Sequence, residues 1–396
     1  MQDYKKAIKT EETLLLQVIK KLAQLHEVSV ENVNKVMFSS SSKSVGIFSK
    51  STLLAAYREF KDRGIVNLSL DEEKTFLSAV RMKRVRTLSG VTPVTVLTKP
   101  YYCPGNCIFC PKDVKMPKSY LSSEPGAQRA LANKFDPYLQ TFNRLCAYHS
   151  IGHPTDKVEL IILGGTWSSY DDKYQKYFIK RCLDALNDFN PYTNSDSIDP
   201  KNLKNEVKDF SWEDIEEAQK KNEIALSRCV GLVVETRPDS LNEEEVVKIR
   251  RFGATKVQIG VQSLNDQVLL LNKRGHDSMT TKRAFEILRQ AGFKIHAHWM
   301  PNLYGSNPRK DVKDYKKLFS KNFRPDEIKI YPCSLLESAE LMSYYEKNLW
   351  KPYKEGELMY VLKNVLLNTP RYNRVTRMVR DISSDDIVAG NKKTNF

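Results

Sequence analysis

The feature that most constrains this chain is an alternation. From Val91 onward, short β-branched runs are separated by longer segments of helical periodicity. The runs are Val94–Leu97, Val158–Leu163, Gly231–Thr236, Lys256–Gln262, Lys294–Met300 and Glu327–Tyr331; the helical segments include Glu243–Phe252 and Thr280–Ala291, the latter bounded by Gly292. Parallel strands need crossovers, and a helix is the usual one. Six such units in order predict an α/β fold with a parallel sheet, open or curled into a partial (β/α)6 TIM-like barrel. Several runs alternate in sense. Gln258, Gly260 and Gln262 oppose Val257, Ile259 and Val261; His296, His298 and Met300 oppose Ile295, Ala297 and Trp299; Lys329 and Tyr331 oppose Ile328 and Ile330. A barrel with a polar lumen and helices outside gives this pattern, as does a sheet with one solvated face. The intervening helices favour the barrel.

The flanks differ in texture. Residues 1–80 read as a helical N-terminal region and a possible RNA-binding unit. An amphipathic helix over 12–26 carries Leu15, Ile19, Leu22 and Leu25, a serine run follows at Ser39–Ser42, and a second helix covers Thr52–Phe60. Residues 81–335 hold the sheet, with a polar insertion at about 190–222 that contains a helix near Trp212–Lys221. Residues 336–396 read as a helical C-terminal extension. The start, MQDYKKAIKTEE, lacks the apolar stretch of a secretory signal, and no run is long enough to span a membrane, so a cytoplasmic protein is expected.

Of the seven cysteines, Cys103, Cys107 and Cys110 crowd into KPYYCPGNCIFCPK directly after the first strand, with C-x3-C-x2-C spacing. Loops after strands are where α/β barrels put their chemistry. Structural zinc takes four protein ligands, and electron-transfer clusters usually take four cysteines. Three cysteines leave one iron of a [4Fe–4S] cluster free to chelate S-adenosylmethionine (SAM), whose reductive cleavage gives a 5′-deoxyadenosyl radical. Zinc completed by His or Asp, and incidental cysteines, are the alternatives.

The cysteine spacing, with Phe109 before the last cysteine, resembles the radical SAM superfamily. Longer stretches resemble the catalytic subunit of Elongator, the family that makes 5-carboxymethyluridine at the tRNA wobble position. They are VRTLSGVTPVTVLTKP, CIFCP, SSEPGAQRALANKFDPYLQ, GHPTDKVELIILGGTW, VVETRPD, VQIGVQSL, KRGHD, HWMPNL, IKIYP and RMVRDI, in family order from about Arg86 to Ile382. The resemblance implies a transferase of the acyltransferase type that uses a [4Fe–4S] cluster, SAM, acetyl-CoA as co-substrate and an electron donor, and acts on the anticodon region of tRNA. The radical takes hydrogen from the acetyl methyl group, the carbon radical adds to C5 of uridine, and thioester hydrolysis leaves the carboxymethyl group. It also implies that Cys103, Cys107 and Cys110 hold the cluster, that Gly164, Gly165 and Thr166 meet the methionyl end of SAM, and that Lys157 is associated with acetyl-CoA. The sequence ends at Phe396, about where the family's acetyltransferase domain should begin, and contains no acetyl-CoA pyrophosphate loop. That half is expected from a longer chain or an acetyltransferase-like partner. Otherwise the enzyme acts on a different substrate, or the protein is an RNA-binding subunit with a structural cluster.

The formal net charge of +15 favours a polyanionic partner. Between residues 81 and 118 eight cations, Arg81, Lys83, Arg84, Arg86, Lys99, Lys112, Lys115 and Lys118, face one acid, Asp113. They are expected to form a basic rim around the cluster loop, with Tyr101, Tyr102 and Tyr120 available for base stacking. The four arginines of 371–380 are a second basic candidate. Glu235 and Arg237 end the third strand, where the first is a candidate to reach the nucleoside or sulfonium of SAM and the second to pair with a carboxylate or phosphate; Gln262 and Ser263 close the fourth and are candidates to line the adenosyl pocket. His296 and His298 are expected to be lumen residues rather than metal ligands, and Cys333 a buried thiol.

Overall fold

In a computed structural model, residues 8–41, 46–193, 198–199, 207–380 and 382–393 are described. Seven parallel strands form one sheet in the order β1 (Thr92–Leu97), β2 (Lys157–Leu163), β3 (Arg228–Thr236), β4 (Lys256–Gln262), β5 (Lys294–Trp299), β6 (Glu327–Ile330) and β8 (Arg374–Met378). A short antiparallel pair joins β7 (Leu335–Leu336) to β9 (Ile387–Ala389). The six anticipated strands lie in sequence order, and β8 adds a seventh from the segment expected to be helical. That segment also holds the helices Leu341–Glu346 and Glu355–Leu367.

The sheet curls because its two faces differ. Val158, Leu160, Ile162, Val257, Ile259, Ile295, Ala297, Ile328 and Ile330 point outward into one apolar core shared with the surrounding helices. Their neighbours Glu159, Gln258, His296, His298 and Lys329 point inward and line a cavity of about 1010 Å³. β1 and β8 are the edges of the sheet, and residues of both border this cavity, so the barrel is incomplete between them. The helix Pro137–Ser150 is braced on the free edge of β1 at its two ends and borders the gap toward β8. Gln140 bonds both the N–H and the C=O of Leu97 (2.9 and 2.8 Å), and the Tyr148 hydroxyl donates to the Pro93 carbonyl (2.8 Å).

Helix ends follow local chemistry. Asp277 caps Ser278–Gln290 by accepting from the Thr280 N–H (2.7 Å), and Gly292 at φ +76° ends it. In the polar insertion, Ser211 and Asp214 form a capping box for the helix Trp212–Asn222.

The N-terminal helices Glu12–Ala23, Val30–Ser39, Lys50–Asp62 and Leu70–Val80 have their own core, with Leu15, Ile19, Leu22, Leu53, Phe60 and Phe76 buried within it. Arg58 donates to the His149 carbonyl and Arg81 to the Gly152 carbonyl, both at 2.9 Å, which ties this unit to the barrel. Among the described residues no helix is long and apolar enough to cross a membrane.

Candidate radical centre

In a parallel sheet all strands end on the same side, so the segments after β1 to β4 meet there. The loop after β1 carries the three cysteines. It is pinned by the Ile108 N–H donating to the Asn272 carbonyl (3.2 Å), the Leu341 N–H donating to the Ile108 carbonyl (2.8 Å), and the fully buried Ile108 side chain. Cys107 and Cys110 are buried and Cys103 is half-buried; all three are free thiols.

Cys107 Sγ accepts from Arg274 Nη1 at 3.2 Å and from Arg237 Nη1 at 3.7 Å. Burial raises the Cys107 thiol, but these two guanidiniums outweigh it and hold the thiol below its usual range. Arg237 is fixed in turn by Asp239, with Nε–Oδ1 at 2.9 Å and Nη2–Oδ2 at 2.7 Å, and donates to the Arg274 carbonyl. Arg274 also donates to the Gly260 carbonyl at 2.6 Å. Gly105 is required beside this pair, since a Cβ there would lie 2.0 Å from Arg237 Nη1. Cys110 differs: burial, together with Cys107, pushes its thiol up to about 12.

This donor set suits an iron–sulfur cluster. Among the described residues no three His, Cys, Asp or Glu side chains converge on a single metal-ion position. A cubane takes one thiolate at each of three separate irons, so convergence on one point is not what it requires. Donors fixed on a cluster sulfur are the usual means of tuning such a group.

The other candidates divide. Gly164 and Gly165, at φ +146° and +92°, turn the chain after β2; a Cβ at Gly164 would lie 1.7 Å from Thr98 Oγ1. The Thr166 hydroxyl lies 3.5 Å from Cys103 Sγ. Glu235 lines the cavity, accepts from the Tyr120 hydroxyl (2.7 Å) and faces His298 Nδ1 (3.5 Å). Gln262 lines it too, at φ +65°, with its side-chain carbonyl buried and without a partner. Ser263 does not reach it: its hydroxyl donates to Asp314 (3.0 Å), which also accepts from the Leu264 N–H and the Trp299 indole. Lys157 is exposed and begins β2, at the end of the sheet away from the cysteines.

The single basic rim is corrected. Arg81, Lys83, Arg84 and Arg86 precede β1, whereas Lys99, Lys112, Lys115 and Lys118 follow it. A strand of 6 residues rising ~3.3 Å per residue sets the two groups roughly 20 Å apart, at opposite ends of the barrel. Lys83 and Arg86 line the cavity, Arg81 is committed to Gly152, and the Arg84 side chain lies outside the described residues. Lys112 and Lys115 are exposed beside the cluster loop, Tyr102 is exposed, and Tyr101 stacks on Tyr170 with centroids 4.7 Å apart.

His296 and His298 lie in the lumen. Burial, reinforced by Lys329, lowers both well below the ordinary histidine range. Lys329, expected on the polar face of its strand, lines the lumen; burial lowers it to about 8 and it donates to Gln258 at 2.6 Å. Sequence reasoning missed Arg274, although it stands in the quoted segment KRGHD. The signal was position, since it belongs to the segment after a strand that faces the cavity.

The pattern of the Radical SAM superfamily matches residues 98–318, and that of the Radical SAM C-terminal domain matches 325–396. The tRNA uridine(34) acetyltransferase of Methanocaldococcus infernus is 42% identical over 333 residues, which cover 82% of this chain and 58% of that protein. Human Elongator complex protein 3 is 30% identical over 392 residues, 96% of this chain and 66% of that protein. The solved structure of archaeal Methanocaldococcus infernus Elp3 with an N-terminal deletion aligns at TM-score 0.62 and 37% identity, covering 77% of this chain and 60% of the other. The chain thus spans about three fifths to two thirds of the length of these curated relatives. With the fold, the three-cysteine loop and the first of these patterns in agreement, the chain belongs to the radical SAM superfamily.

Proposed function

We propose that this chain is the radical-generating part of a tRNA-modifying enzyme that installs a carboxymethyl group at C5 of the wobble uridine, with acetyl-CoA as the carbon source. The observation that carries the reading is the junction of a three-cysteine loop, two arginines held on Cys107, and a cavity of about 1010 Å³ whose wall runs from Cys110 to Glu235 and Gln262. The names of the related proteins support the tRNA substrate and the acetyl transfer. Cys103, Cys107 and Cys110 would hold a [4Fe–4S] cluster, which when bound would supply the electron for cleavage of SAM to methionine and a 5′-deoxyadenosyl radical. An external donor provides that electron.

The chain's own residues do the positioning. Arg274 and Arg237 fix the Cys107 sulfur, and Asp239 fixes Arg237. The turn at Gly164 and Gly165 leaves backbone groups open for the methionyl end of SAM. Glu235 and the unpartnered carbonyl of Gln262 are the polar groups offered to the adenosyl moiety. The barrel wall of helices and apolar side chains limits the water that reaches a carbon radical inside it. Hydrogen taken from the acetyl methyl group ends in 5′-deoxyadenosine, the methylene carbon bonds to C5, and loss of the C5 proton, with one electron that would return to the cluster left oxidised by SAM cleavage, restores the uracil ring before water hydrolyses the thioester and releases CoA.

The test is anaerobic reduction of the reconstituted protein with SAM, hairpin RNA and methyl-deuterated acetyl-CoA. Formation of 5′-deoxyadenosine that depends on Cys107, with deuterium in it when an acetyltransferase-like domain is supplied, is expected. Cleavage that no acetyl-CoA or RNA affects would assign the radical to a different substrate. A protein that holds iron and cleaves no SAM would be an RNA-binding subunit with a structural cluster.

A further inference from the structure

The incomplete side of the barrel is not uniform along its length. At the cluster end the loop after β1 is strapped to the segment after β8. Arg380 donates to the Ser119 carbonyl and to Glu124 Oε1 (2.6 Å), and Ser123 donates to Asp386. Cation and acid are matched there. At the other end the edge of β1 carries cations without acids. Gln140, Arg144 and Tyr148 occupy one face of their helix at i, i+4 and i+8, and the outer two bond Leu97 and Pro93 of β1, so Arg144 is held level with Thr95 between them. Arg129 and Arg144 line a small hollow together with Thr95. Lys83 and Arg86, in the turn just before β1, continue the row.

Among the described residues none of Lys83, Arg86, Arg129 and Arg144 has a carboxylate within 4.0 Å; Arg144 lies over the Tyr148 ring at 4.0 Å. Arg129 Nε is buried and has no hydrogen-bond partner. Burial lowers the pKa of Arg129, and Arg144 and Arg86 lower it further, so the three charges repel one another in the absence of an anion. All four line the same cavity as Glu235 and Lys329. The cations are strung along a strand edge rather than gathered at one point. A lone phosphate or pyrophosphate is held by convergent donors; a row of separate charges leading to a deep polar lumen fits successive phosphodiesters with one nucleoside turned inward.

We propose that the open seam along β1 holds the sugar–phosphate backbone of a single-stranded RNA segment, with Lys83, Arg86, Arg129 and Arg144 as the phosphate contacts. This rests on the RNA-modifying reading and adds to it where the strand enters: at the side and far end of the barrel, not over the cluster loop.

The experiment is fluorescence anisotropy of a uridine-loop hairpin RNA with the reconstituted full chain across a range of salt concentrations. Each single-strand phosphate contact contributes about 0.7 to the slope of log K against log salt. The variant R86Q/R129Q/R144Q is expected to lose about 2 from the slope, and R86K/R129K/R144K to keep it. Arg144→Gln alone, the milder change, is expected to lose about 0.7. Melting curves show that each variant is folded. Equal slopes in the wild type and in both glutamine variants, or a loss seen only in K112Q/K115Q, would overturn the seam while leaving RNA binding intact. A seam-independent slope, with adenosine diphosphate bound by the wild type and lost by R86Q/R129Q/R144Q, would assign these cations to a soluble nucleotide and also overturn it. A wild type that binds no hairpin at all would refute the RNA-modifying reading itself.

Discussion

The end of the cavity away from the cluster loop provides the most direct energetic test. Lys256, at the start of β4, places Nζ 2.8 Å from Glu159 Oε1 and 2.9 and 3.0 Å from the two oxygens of Glu327, with only 9% of its side chain exposed. Burial lowers its pKa, but the two carboxylates more than reverse this, and the ammonium is held above its ordinary range. Because the folded-state pKa is raised, the stabilisation is fully present below the unfolded value of about 10.4 and is lost as pH rises through the folded one. Lys256→Met removes the cation and leaves two carboxylates, on β2 and β6, facing each other across the lumen. Breaking a buried pair by removing one partner costs about 3–5 kcal/mol. Arg374, 3.9 Å from Glu327, offsets part of that, so the lower half of the range applies. At about 2.1 cal/mol/K per residue the unfolding entropy of a chain this size is about 0.8 kcal/mol/K, and the expected fall in Tm is about 4 °C. Differential scanning fluorimetry at pH 7.5 measures it, and Lys256→Met/Glu327→Gln is expected to recover at least half. A fall under 1 °C, or no recovery in the double variant, would show that desolvation of Lys256 cancels its ion pairs.

Cys107→Ala in anaerobically reconstituted protein is expected to bring iron well below the about four atoms per chain of a full cluster, by colorimetric iron assay; stoichiometric zinc in the wild type would contradict the assignment. Gly164→Ala forces a Cβ to 1.7 Å from Thr98 Oγ1 at φ +146°, and a loss of about 2–4 kcal/mol by urea unfolding is expected, most of it remaining when Thr98 is also Ala because the backbone strain persists. Asp311, raised by burial to about 6, gains charge in the unfolded chain first, so stability falls as pH rises from about 4 to about 6, by about 2–3 kcal/mol at 1.36 kcal/mol per unit. Asp311→Asn is expected to flatten that part of the pH profile, as read by urea midpoints.

The sheet was legible because its signal is local. β4, β5 and β6 each alternate, and helix-period segments fill the gaps, so period and order together specify a curled parallel sheet. β8 was not legible. Its residues Arg374–Met378 hold two arginines and half-exposed positions on a sheet edge, and an edge strand packed on one side lacks the apolar run that marks a strand. The cysteines were legible as a group because all their spacing lies within one loop. Arg274 was not, since its bond to Cys107 spans 167 residues, and a lone arginine in KRGHD looks like any solvated charge until β4 sets it beside the loop after β1. Ser263 shows the converse. The alternation of β4 continues to Gln262, but the chain turns at φ +65° there, and the next side chain drops to Asp314 instead of staying with the lumen.

Charge shows most clearly where linear and spatial proximity part. Cations 81–86 and 112–118 are close in sequence only because one short strand joins them, and a strand is the element that separates its ends most per residue. Any basic cluster that brackets a β-strand must therefore divide between the two ends of the sheet. In a parallel sheet the chemistry is confined to one end, where the loops after the strands gather, so half of such a cluster necessarily lies at the other. What joins the two ends here is the cavity along β1, bordered by Lys83, Arg86 and Arg129 at one end and by Cys110 and Arg380 at the other. A substrate long enough to touch both has to run along the strand edge. That is the reason a chain-like anion, held by its backbone at one end and presenting a base at the other, suits this barrel better than a compact one.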